Sequence, residues 1–196
     1  AIYDDEFSFA LEASGNTIVS SAWKKKGTGN IEKMGAVYVY DANDLSATPT
    51  KLTASDGANN DWFAGEYGMV ATSEKLIVSS RYDGAGDYHN AGSVYVYDLN
   101  DLTAQPTKVY EPLPWFSNQF GKSVDGLSDK FVVGSPYANY NGQSNLYNDS
   151  DAAYVYDAND LSAQPTEISL KTMGFPNTFA TGKQFGMKVC IVPATS

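Results

Sequence analysis

The clearest pattern along the chain is a strict alternation of small apolar and aromatic positions that recurs three times. It reads Val37-Tyr38-Val39-Tyr40, Val94-Tyr95-Val96-Tyr97 and Ala153-Tyr154-Val155-Tyr156. Period-two alternation of β-branched and aromatic residues predicts a strand, with valines on one face and tyrosines on the other. Each run is followed by Asp-x-Asn-Asp-Leu-(Ser/Thr)-Ala-x-Pro-Thr, ending at Thr50, Thr107 and Thr166. Asp and Asn predict a turn there, because their side chains bond the nearby backbone. Pro49, Pro106 and Pro165 fall at strand edges, where a missing N–H is tolerated. The anchor aspartates Asp41, Asp98 and Asp157 are spaced 57 and 59 residues apart, which marks an internal repeat.

A second landmark precedes each alternating run. An aromatic start leads through a short turn to an apolar strand, as Phe7 to Ile18-Val19-Ser20-Ser21, Phe63 to Ile77-Val78-Ser79-Ser80, and Phe120-Gly121 to Val132-Val133-Gly134-Ser135. A fourth copy begins at Phe185-Gly186. Four strands per unit are expected: the Phe-Gly stretch, the Val-rich stretch, Val-Tyr-Val-Tyr, and the residues after Pro-Thr. The fold class predicted is all-β, a β-propeller-like array of four-stranded antiparallel blades. The blades are expected at about 1–56, 57–113 and 114–178, with a partial blade at 179–196. At a period near 57 the chain holds about 3.4 units, whereas propellers close with roughly 4 to 8. It is therefore expected to be part of a longer chain, or to associate.

The Phe-Gly start and the Val-Val-Gly-Ser-Pro136 ending resemble the FG-GAP repeat, the blade of integrin α-like β-propellers. The Tyr-Val-Tyr-Asp element is similar to FG-GAP-like repeats of bacterial surface proteins and marine phage virion or tail proteins. Only the third unit keeps both halves; the first two have Ser8 and Ala64 where the first glycine belongs. Calcium-binding members carry a D-x-D-x-D-G loop between the first two strands. Here those turns, Ala13–Thr17, Thr72–Lys75 and Leu127–Lys130, are too short and too poor in carboxylates for six to eight oxygen ligands. The resemblance implies the fold without the calcium site, and no cofactor is expected beyond weak cation binding at the Asp-Asn-Asp turns.

Composition narrows the function. The chain has 196 residues, a net charge of −10, one cysteine and one histidine. The acidic balance disfavours nucleic acid, and no apolar run is long enough for membrane insertion. Nor is a signal peptide visible. Cys190, within Val189-Cys190-Ile191-Val192, is expected to be a buried thiol. No nucleophile elbow, zincin or P-loop motif occurs, and the repeated carboxylates sit in turns, so an enzyme is not expected.

Candidate binding residues lie in the variable loops between the second and third strands: Trp23, Lys24 and Lys25; Tyr82, Asp83, Asp87, Tyr88 and His89; Tyr137, Tyr140, Asn141 and Tyr147. Flat aromatic faces stack at low entropic cost, and amides and carboxylates bond hydroxyls, which suits sugars or protein surfaces. Asp83, Asp87 and His89 also have a plausible metal-loop spacing, and Lys24-Lys25-Lys26 reads as a solvated loop tip. The expected role is a structural or adhesive module at an extracellular or virion surface. Its partners would be subunits of the same assembly, a cell-surface glycan or a receptor. The competing readings are a glycan-degrading domain using loop carboxylates and a calcium-stabilised adhesin.

Overall fold

The structure is a computed structural model and describes residues 5–138, 151–169, 172–173 and 185–192. It is all-β, with three four-stranded antiparallel sheets in the order of propeller blades. The first sheet comprises β1 (Phe7–Ser14), β2 (Thr17–Ala22), β3 (Ala36–Asp41) and β4 (Thr50–Leu52). The second comprises β5 (Met69–Ala71), β6 (Lys75–Ser80), β7 (Ser93–Asp98) and β8 (Thr107–Tyr110). The third comprises β9 (Ser123–Leu127), β10 (Lys130–Ser135), β11 (Ala152–Asp157) and β12 (Thr166–Ser169). Neighbours in each sheet are neighbours in sequence, so every connection is local.

The alternating runs form the third strands, and both of their faces are used. Val19, Val37, Val39 and Leu52 of the first sheet pack on Phe63, Leu76, Val78, Tyr95 and Tyr97 of the second unit. Ile77, Val94, Val96 and Val109 of the second sheet pack in turn on Phe120, Phe131, Val133, Tyr154 and Tyr156 of the third. The valine face of one blade thus meets the tyrosine face of the next. The tyrosines are also tethers: Tyr97 donates to the Thr53 carbonyl at 3.2 Å, and Tyr156 to the Tyr110 carbonyl at 3.3 Å, just beyond β4 and at the end of β8.

In the second and third units the Phe-Gly stretch is not the first strand. Phe63 makes only an isolated bridge to Ser80, and β5 begins at Met69. Phe120 precedes β9, which begins at Ser123. Both rings are fully buried plugs at the blade junction. The plug is admitted by a glycine of the preceding blade. A Cβ on Gly35 would lie 2.3 Å from the Phe63 carbonyl oxygen, and one on Gly92 would lie 2.1 Å from that of Phe120. The residue after the Phe lies in left-handed space in every unit: Ser8 at φ 66°, Ala64 at 58°, Gly121 at 87° and Gly186 at 82°. The two departures from glycine therefore keep the backbone and accept its strain.

The Asp-Asn-Asp elements are self-satisfied turns. Asp41, Asp98 and Asp157 each accept the backbone N–H two residues on, and Asp44, Asp101 and Asp160 accept the N–H and hydroxyl of Ser46, Thr103 and Ser162. Cys190 is exposed rather than buried. Residues 189–192 form no strand, so no sheet closes over the thiol.

Candidate functional site

Each junction is stitched by the loop after the second strand of one blade and the segment before the plug of the next. At the first junction Asn60, Trp62 and Phe63 donate their N–H groups to the carbonyls of Glu32, Lys33 and Met34. At the second, Ser117, Gln119 and Phe120 donate to His89, Asn90 and Ala91. Left-handed residues recur in step: Lys33, Asn60 and Trp62, then Asn90, Ser117 and Gln119. This stitch brings the variable loops against aromatic residues of the next unit.

At the first junction Trp23 and Trp62 lie 4.4 Å apart between ring centroids, and Trp62 meets Tyr82 edge-on at 4.8 Å. Phe9 extends the cluster toward Trp23. The Arg81 guanidinium lies 4.8 Å from the Trp62 centroid and 4.9 Å from that of Tyr82. Lys33 reaches Trp62 at 5.8 Å, and Lys24 reaches Trp23 at 5.1 Å. The Trp23 indole donates to Glu6 at 2.6 Å, and Lys24 pairs with the same carboxylate. The Lys24 hydrogen bond holds Glu6 below the usual carboxylate range. At the second junction Tyr88 packs on Trp115 at 5.0 Å and on Phe116 at 5.2 Å, with His89 against Phe116. Phe116 is 48 % exposed, so this cluster is open to solvent.

The predicted residues therefore divide. Trp23, Lys24 and Tyr82 come together at the first junction, and Tyr88 and His89 at the second. The lysine run is paired throughout: Lys24 with Glu6, Lys25 with Asp5 at 2.7 Å and, at the exposed end of the run, Lys26 with Glu32 at 2.5 Å. Asp87 is exposed, and Tyr137 is half-buried in the turn after β10. Tyr140, Asn141 and Tyr147 lie outside the described residues. Asp83 belongs to the interior. It accepts from Ser93 at 2.5 Å and Tyr95 at 3.1 Å, and pairs with Lys108 at 2.5 Å. Lys108 also meets Asp56 at 2.6 Å. Burial opposes the Lys108 charge, but the hydrogen bonds to Asp56 and Asp83 prevail and raise its pKa. Asp83 thus bonds Lys108, Ser93 and Tyr95, while His89 packs on Phe116. Among the described residues no group of three His, Cys, Asp or Glu is placed to share a metal ion.

Trp62, Arg81, Trp115 and Phe116 were not singled out from sequence. Arg81 opens the second variable loop beside Tyr82, whereas Trp62, Trp115 and Phe116 lie outside these loops and reach the site through the stitch between blades. One signal was available: the chain has three tryptophans, and all of them, Trp23, Trp62 and Trp115, are in these two clusters.

Residues 48–97, from the end of the first repeat to the third strand of the second sheet, match the model of the FG-GAP repeat. This chain carries an FG-GAP repeat. No curated protein matches the chain. FG-GAP repeats are typically extracellular, and among the described residues no helix is long and apolar enough to cross a membrane. The FG-GAP match and the blade-like sheets together indicate a β-propeller module.

Proposed function

We propose that the chain is a non-enzymatic display module of an extracellular assembly, such as a bacterial surface appendage or a phage tail, fibre or virion protein. Its aromatic junction clusters would engage a cell-surface glycan, a receptor or a neighbouring subunit. The supporting observation is the recurrence of a tryptophan-centred cluster at two successive junctions, each built from one variable loop and the next blade's entry segment. A repeated stitch holds both clusters, so little ordering remains to be done on binding, and rigid aromatics offer large contact area at small entropic cost.

A glycan array probed with the intact chain tests this reading. Binding that quenches tryptophan fluorescence, and that falls at least about tenfold in Trp62→Ala or Trp115→Ala, is the expected result. A reducing-end assay on the bound polysaccharide is the counter-test. Release of product would replace display with hydrolysis.

A further inference from the structure

Arg81 is the least satisfied cation among the described residues. Its side chain is 8 % exposed, and its Nε and Nη1 have no hydrogen-bond partner. A buried guanidinium with open donors is costly unless an acceptor reaches it. The nearest carboxylate is Glu66, whose Oε2 lies 3.9 Å from Arg81 Nη1, too far for a hydrogen bond. The same oxygen lies 3.4 Å from Lys122 Nζ. Two largely buried cations thus share one loosely held carboxylate on a side chain that is 46 % exposed. Burial and the nearby Arg81 charge both depress the Lys122 pKa, so Glu66 compensates the pair incompletely. The aromatic wall of Trp62 and Tyr82 flanks the guanidinium.

We propose that Arg81 and Lys122 form a carboxylate-binding site for a uronic acid residue of an acidic glycan, beside Trp62 and Tyr82, with Glu66 as the internal carboxylate that the ligand displaces. The site accounts for three observations together: open guanidinium donors, a carboxylate held beyond bonding distance of them, and two aromatic rings beside the guanidinium. A guanidinium and an ammonium match the oxygens of a sugar carboxylate, and Trp62 and Tyr82 pack against the guanidinium that would receive it. Glu66 leaves cheaply because it is exposed and makes only one long hydrogen bond. The proposal names the ligand class of the display reading and rests on it.

The test is titration of the intact chain with sodium polygalacturonate, neutral dextran and dextran sulfate, followed by tryptophan fluorescence and calorimetry. Polygalacturonate is expected to bind at least about tenfold more tightly than dextran, with affinity falling as salt rises. Glu66→Gln removes the internal competitor without touching the core and is expected to tighten polygalacturonate binding severalfold. Lys122→Met is expected to weaken it about tenfold. Arg81→Lys keeps the charge but loses the fork and is expected to weaken it similarly, with its melting temperature checked alongside. Equal binding of dextran and polygalacturonate, unmoved by Glu66→Gln, would overturn the carboxylate site and leave the display reading standing. Tighter binding of dextran sulfate would overturn the uronate assignment. Failure of all three polymers would overturn the site, while binding of other array glycans or a protein receptor would decide the broader reading separately.

Discussion

Ala64 occupies, at φ 58°, the left-handed position that Gly121 and Gly186 fill in later units. Its N–H donates to the Ser79 carbonyl as that of Gly121 does to Gly134, so the conformation is imposed by a bond the repeat conserves. Ala64→Gly is expected to stabilise the chain by about 0.5 kcal/mol, since relief of strain exceeds the added backbone entropy. Thermal melting checks this, with a rise of about 1–2 °C expected. The reverse change at Gly121 places a Cβ 2.7 Å from that of Ser79 and is expected to cost about 2 kcal/mol. Glu111 illustrates a different residue-level strain. It is buried and accepts from Asn118 at 2.5 Å, with Ser135 and Tyr154 also beside its carboxyl. Burial pushes its carboxyl up to about 7. A raised carboxyl favours the folded state most when protonated. Its contribution is therefore full below about pH 4.5 and is lost as pH rises through 7. Glu111→Gln is expected to flatten this dependence, recovering up to about 3 kcal/mol at pH 8 relative to pH 4.5 in denaturant titrations. An unchanged pH profile would assign the dependence to other groups.

At the scale of the element, the two junctions carry opposite charges at one register position. Lys108 on β8 stands opposite Tyr95 in register, and Glu167 on β12 stands opposite Tyr154. At the first junction the lysine neutralises Asp56 and Asp83; at the second, Glu167 adds to the Glu111 charge. Glu167→Lys is expected to lower the Glu111 pKa and to stabilise the second junction above pH 7, measurable by denaturation at pH 6 and 8. The tyrosine tethers are equivalent elements at different junctions. Tyr97→Phe and Tyr156→Phe are each expected to cost about 1 kcal/mol by loss of one hydrogen bond. The double variant is expected to show the sum, because the bonds share no partner.

For the molecule as a whole, the first sheet presents the tyrosine face that its neighbours bury. Tyr38 and Tyr40 are half-exposed, whereas Tyr95, Tyr97, Tyr154 and Tyr156 are buried against the preceding blade. Phe7 and Leu11 on β1 are 44 % and 61 % exposed. A valine face like those of the first and second sheets would cover this surface. A second copy of the chain is expected to supply part of that cover. Light scattering should then give masses above 21.1 kDa that rise with concentration, and Leu11→Lys should return the monomer mass. A constant monomer mass in the wild type would remove this expectation.

Much of this architecture was legible because a repeat multiplies its own signal. Three copies of (Val/Ala)-Tyr-Val-Tyr-Asp establish strands, faces and turns, since alternation decides which side each residue takes and Asp-Asn turns are satisfied by atoms within a few residues. What the sequence could not show is every feature built between blades. The Phe-Gly stretch of the second and third units reads as a strand by composition, yet it becomes a plug because a glycine of another blade leaves room for it. Asp83 reads as a loop ligand, yet Lys108, reached only through the sheet, draws it inward. Cys190 reads as buried by its apolar neighbours, but burial requires a covering sheet that residues 189–192 do not join. Trp62, Arg81 and Lys122 are separated by 19 and 41 residues in the chain, yet Arg81 lies against Trp62 and shares Glu66 with Lys122 in the folded chain. Local pattern determined the blades; contacts between units, which depend on three-dimensional proximity, decided the site.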